Sequence, residues 1–87
     1  MISDRASIAS EAAGLIRRFL SGDVGVYEWD DQMGIKWRDA ELERLRIECW
    51  RILGRLEGAS ERDRVEAYAL LHEIADRFDA IVKTARP

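Results

Sequence analysis

From Glu61 to Thr84 the apolar residues Val65, Tyr68, Leu71, Ile74, Ala75, Phe78, Ile81 and Val82 recur every three or four positions, with no glycine or proline between them. That spacing follows the period of an α-helix and predicts one long helix over about 61–84. The stripe is wide, and a wide stripe needs two neighbouring helices to cover it. Ser60, with Asp63 three residues on, resembles a capping box in which Asp replaces the usual Glu, and it marks the helix start.

The remaining chain is punctuated in the same way. Ile8, Ala12, Leu15, Ile16 and Phe19 predict a first helix over 4–20, opened by Ser3-Asp4 or Ser7 and stopped by Ser21-Gly22. After the turn at 22–25, Val26, Trp29 and Met33 fall at i, i+3 and i+7 and predict a short second helix that ends at Gly34, with Glu28 suiting the dipole of its first turn. Asp39 is the expected cap of a third helix to about Leu56, whose Leu42, Leu45, Cys49, Ile52, Leu53 and Leu56 share one face before Gly58 closes it. Ile35 and Trp37 lie at the least defined boundary and extend either flanking helix equally well. Connections of a few residues force neighbouring helices to run antiparallel. The expected fold is therefore all-α: a small antiparallel four-helix bundle with a short second helix, one domain over 1–87.

Composition narrows the functions open to such a bundle. The chain has 87 residues, 47% of them hydrophobic and 36% charged, which is too apolar for a disordered chain and too finely mixed for an acidic tail. A chain this short buries only about 60–65% of its unfolded surface, leaving little room for an enclosed active site. Cys49 is the only cysteine and His72 the only histidine, so neither an intramolecular disulfide nor a His-rich metal cage can form. The longest apolar run, Ala67 to Leu71, is far too short to span a membrane, and Asp4 and Arg5 do not suit a secretory leader, so a soluble cytoplasmic protein without membrane contact is expected. A pI near 5.1 argues against direct nucleic-acid binding and in favour of a basic protein partner.

Catalytic patterns are lacking. Cys49 falls on the apolar stripe of the third helix, away from His72, and reads as a small core residue rather than a nucleophile. His72 and Asp76 are one helical turn apart, but two ligands do not make a metal site, and no Glu-x-x-His motif supplies more. There is no phosphate loop, dinucleotide fingerprint or nucleophile elbow. Neither enzymatic activity nor a cofactor is expected. Arg44, Arg51 and Arg55 line one face of the third helix, where pairing of Glu41 with Arg44 and of Glu48 with Arg51 would give a self-neutralised, solvated surface. Ile47 and Trp50 point away from that helix's main stripe and are expected to pack on a flanking helix, the alternative being an exposed apolar patch.

One stretch departs from this mixed background. Between Arg18 and Lys36 no basic residue occurs, yet Asp23, Glu28, Asp30 and Asp31 all do, beside Tyr27 and Trp29. On a helical wheel Val26, Trp29 and Met33 face the core, and Asp30 lies at their margin, placed to accept from a neighbouring helix N-terminus or to pair with an arginine. Tyr27, Glu28 and Asp31 point outward. An amphipathic ring among carboxylates is the composition of an interaction anchor.

The run Ile16-Arg17-Arg18-Phe19-Leu20-Ser21-Gly22, followed by Tyr27-Glu28-Trp29-Asp30-Asp31, resembles the opening of small bacterial colicin-type immunity proteins of the colicin D inhibitor group. The likeness continues through Leu42-Glu43 to Cys49 and covers roughly the first half of the chain. Gly25 stands where that pattern has a Ser or Thr cap, and Gln32-Met33 replaces an aromatic after the paired aspartates. The resemblance implies a helical protein that neutralises a toxin by binding it. Physics supplies a compatible mechanism, because a nuclease toxin is basic where it holds phosphates. Asp23, Glu28 and Asp31 would then imitate phosphates and Tyr27 would anchor the complex, roles assigned by exposure and charge rather than by family correspondence. The competing expectation is a regulatory or assembly module that uses exposed Ile47 and Trp50 to form a homodimer or to dock on a larger protein.

Overall fold

Three helices carry the described chain. The computed structural model describes residues 4–23, 34 and 36–85, with α1 at Asp4–Leu20, α2 at Ala40–Leu56 and α3 at Glu61–Ala85, and no strand among the described residues. The all-α expectation is met, with three helices among the described residues. The expected short second helix falls on residues outside the described ones.

The predicted boundaries hold because specific groups satisfy the helix ends. α1 stops in a Schellman arrangement: Asp23 N–H donates to the Arg18 carbonyl at 2.9 Å and Gly22 N–H to the Phe19 carbonyl at 3.1 Å. Gly22 sits at φ +84°, a left-handed conformation that glycine adopts without the usual side-chain penalty. Asp39 caps α2, its Oδ1 accepting from the N–H groups of Glu41 at 3.0 Å and Leu42 at 3.1 Å. The Ser60 hydroxyl oxygen accepts from Asp63 N–H at 3.2 Å and opens α3.

Long-range contacts fix the helix directions. Arg5 of α1 pairs with Asp39 and Glu41 at the start of α2, and Phe19 shares a groove with Leu53 and Leu56 near the end of α2, so α1 and α2 run parallel. α3 runs antiparallel to both, since its early residues Arg64 and Tyr68 line that same groove while its late residues Ile81 and Thr84 lie beside Leu45. Both shorter helices pack on α3. α1 approaches it closely because the facing side chains are small: Ala9, Ala12 and Ala13 on α1, Ala67 and Ala75 on α3 are all buried. Against α2 the contact is bulkier, with Leu42, Leu45, Cys49 and Ile52 meeting Leu71, Ile74, Phe78 and Ile81 in one continuous core. The 43 Å long axis reflects the length of α3, about 37 Å at the usual helical rise.

Three expectations about packing need correction. The buried face of α3 is Ala67, Leu71, Ile74, Ala75, Phe78 and Ile81, which leaves Tyr68 at its margin and Val65 64% exposed. At about 100° per residue Val65 lies roughly 150° from the centre of that face, so its hydrophobicity does not bring it inside. On α1, Ala6 and Ala9 are buried while Ile8 is only half-buried, because the close approach to α3 favours small residues. Trp37 extends neither flanking helix. It stands just before the α2 cap, half-buried, with its ring edge-on to Phe78 at a centroid separation of 6.1 Å and an interplanar angle of 80°.

Candidate functional site

Contacts fasten the chain at Asp23 and again at Trp37, on either side of the residues of the acidic stretch that lie outside the described ones. At its start Asp23 is exposed and closes the α1 turn, where its Oδ2 accepts from the Ser21 hydroxyl at 2.9 Å. This carboxylate thus has a structural role at the α1 turn. Beyond the stretch, Trp37 N–H donates to Glu43 Oε1 at 3.1 Å, and Glu43 receives a two-pronged contact from Arg46, Nε to Oε1 at 2.5 Å and Nη2 to Oε2 at 2.7 Å. The Arg46 guanidinium, aided by the Trp37 N–H, holds the Glu43 carboxyl down at about 2. Together with the Trp37 ring on Phe78, this fastens the chain where it enters α2. The other expected site residues, Tyr27, Glu28 and Asp31, lie outside the described residues, as do Trp29 and Asp30.

Elsewhere several carboxylates pair with arginines on other helices. Arg17 reaches both Asp79 at 2.5 Å and Asp76 at 3.2 Å, joining the end of α1 to α3. Arg77 of α3 meets Glu48 of α2 at 3.6 Å. Glu41 is engaged by Arg5. The expected pairing of Glu41 with Arg44 and of Glu48 with Arg51 is therefore corrected: both glutamates turn to cations on other helices. Among the described residues Arg44, Arg51 and Arg55 form no ion pair.

On the other flank of α2 lies an open apolar groove of about 600 Å³, lined by Phe19, Trp50, Leu53, Leu56 and Tyr68 and rimmed by Glu57 and Arg64. Trp50 is 44% exposed and Ile47 37%, so the expected packing of both on a flanking helix gives way to the alternative, an exposed apolar patch. The sequence pointed to Trp50 but not to its partner Tyr68, which the periodicity of α3 had placed in the core. Only the rotation of α3 about its axis brings the two rings to one groove.

Cys49 is fully buried, and burial pushes its thiol up to about 12, the behaviour of a packing residue rather than a nucleophile. His72 is exposed on α3. Among the described residues no group of three or more His, Cys, Asp or Glu side chains could hold a metal ion, and no helix is long and apolar enough to cross a membrane. Comparison of the chain with protein families, curated proteins and solved structures finds no match.

Proposed function

We propose that this chain is an immunity-type inhibitor, which binds a basic protein of the nuclease-toxin class through the acidic stretch from Asp23 to Asp31 and neutralises it without catalysis. One observation carries the reading: the four carboxylates of that stretch exceed the net charge of −3 of the whole chain, so the rest of the molecule is close to neutral. The helical carboxylates Asp39, Glu41, Glu43, Glu48, Asp76 and Asp79 already have arginine partners, whereas residues 19–35 contain no cation of their own. A surplus of one sign gathered in one segment steers a partner of the opposite sign, and Tyr27 within it supplies apolar contact area. Anchoring of the chain at Asp23 and at Trp37, on either side of that stretch, limits the conformational freedom to be lost on binding.

The test pairs the chain with a basic nuclease domain encoded by a neighbouring reading frame. The double variant E28K/D31K, with Trp29 retained, should keep its helical circular dichroism and lose protection against that nuclease. Retained protection in a folded variant would sink the acidic-stretch reading. A second reading is favoured by the exposed Trp50 and Tyr68: a docking module that uses the aromatic groove, alone or against a second copy. In that case W50A/Y68A, not E28K/D31K, abolishes partner binding.

A further inference from the structure

The flank of α2 opposite Trp50 carries three arginines that form no ion pair among the described residues. Arg44, Arg51 and Arg55 project from one side of the helix at i, i+7 and i+11, about 16 Å from first to last at the usual rise. Each lines the groove between α2 and α3, Arg44 toward one end and Arg51 with Arg55 toward the other. Both glutamates that interleave with them also line the groove but pair with other cations, Glu41 with Arg5 and Glu48 with Arg77, which itself lines the groove. The groove is not purely ionic. Ile52 and Ile74 reach it from the core, and Leu70 of α3, 40% exposed, stands within it over a space of about 340 Å³. An apolar seat beside a row of unpaired guanidinium groups asks for a ligand with the reverse pattern.

We propose that this groove receives an acidic amphipathic helix of a partner protein. Charge complementarity chooses the occupant: carboxylates spaced seven and four residues apart on a helix repeat the rise between Arg44, Arg51 and Arg55, and an apolar stripe alongside them covers Leu70. A guanidinium fork matches a carboxylate in two-pronged geometry, as Arg46 does with Glu43 within this chain. Nucleic acid fits less well. The floor of Ile52, Ile74 and Leu70 offers no aromatic face on which a base could stack, whereas it suits the apolar stripe of a helix. Glu73 has no ion-pair partner among the described residues and calls for a single cation on the incoming helix. The arginine row and the acidic stretch are different residues, so variants of one leave the charges of the other unchanged.

Fluorescence anisotropy with a labelled synthetic helix tests the proposal. The probe carries a leucine stripe, glutamates at the arginine spacing and one lysine set opposite Glu73. The full chain should bind it saturably with one-to-one stoichiometry. R51E/R55E should weaken binding by on the order of tenfold or more, and L70S should weaken it several-fold. R51Q/R55Q, which introduces no new charge, repeats the test with less demand on folding and should weaken binding in the same direction. E28K/D31K should bind the probe as the unaltered chain does, so failure here is distinct from failure of the inhibitor reading. The proposal is overturned by absence of saturable binding, by equal affinity of the folded arginine variants, or by a single-stranded oligonucleotide that binds more tightly than the peptide with the same arginine dependence.

Discussion

Glu43 is the residue on which the approach to α2 depends, since its two carboxylate oxygens hold Arg46 and the backbone of Trp37 together. Its ordinary value of 4.5 falls to about 2 in the fold, so the ionised form is favoured by folding. The stabilisation is complete above the ordinary value and disappears as pH falls through that window. Asp39 is lowered too, through its backbone hydrogen bond from Leu42 and the Arg5 side chain, and adds a contribution of the same sign. Urea unfolding should show stability declining from about pH 4.5 toward pH 2, and E43Q should flatten part of that decline while lowering stability at neutral pH. Core residues make a second prediction at this scale. Phe78→Ala should cost about 3–5 kcal/mol, because the ring is fully buried and supports Trp37, whereas Val65→Ala should stay within about 0.5 kcal/mol. Comparable losses at both positions in chemical denaturation would contradict the rotation of α3.

At the scale of elements, each helix is delimited by chemistry local to its ends, which is why the boundaries of α1, α2 and α3 follow from the sequence. Gly22 tests this directly. No atom lies within 4 Å of where its Cβ would be, so Gly22→Ala meets no steric obstacle and its cost is the left-handed backbone alone. A loss of about 1–2 kcal/mol is expected in denaturant unfolding. A neutral result would mean that the α1 stop does not depend on the Schellman geometry. The rotation of each helix was less legible than its length. The wheel of α3 weighted Val65 and Tyr68 by hydrophobicity, while the fold weights Ala67 by size, since close packing with the alanines of α1 rewards a small side chain.

For the whole molecule, the distribution of charge matters more than its total. Interhelical pairs neutralise part of the bundle, one segment keeps an acidic surplus, and one flank of α2 keeps Arg44, Arg51 and Arg55 without ion pairs among the described residues, the last two beside Leu70. Association with a basic toxin domain through the acidic segment should slow markedly as ionic strength rises, because screening removes the steering. Docking through Trp50 and Tyr68 would leave the rate nearly unchanged, so stopped-flow measurements at low and high salt separate the two readings.

Determined by the sequence alone were the helical class, the ends of the three described helices, the core identity of Leu42, Leu45, Cys49, Leu71 and Phe78, and the gap in basic residues between Arg18 and Lys36. These depend on periodicity, capping groups and composition, all of which act within a few residues of chain. Decided only by the tertiary structure were the partners of Glu41 and Glu48, the release of Arg44, Arg51 and Arg55, the meeting of Trp50 with Tyr68, and the docking of Trp37 on Phe78. Each of these joins groups far apart in sequence. A charged side chain with a cation one turn away and another on the facing helix takes whichever the packing brings to it, and packing is set by the summed fit of α1 and α2 on α3 rather than by any local spacing.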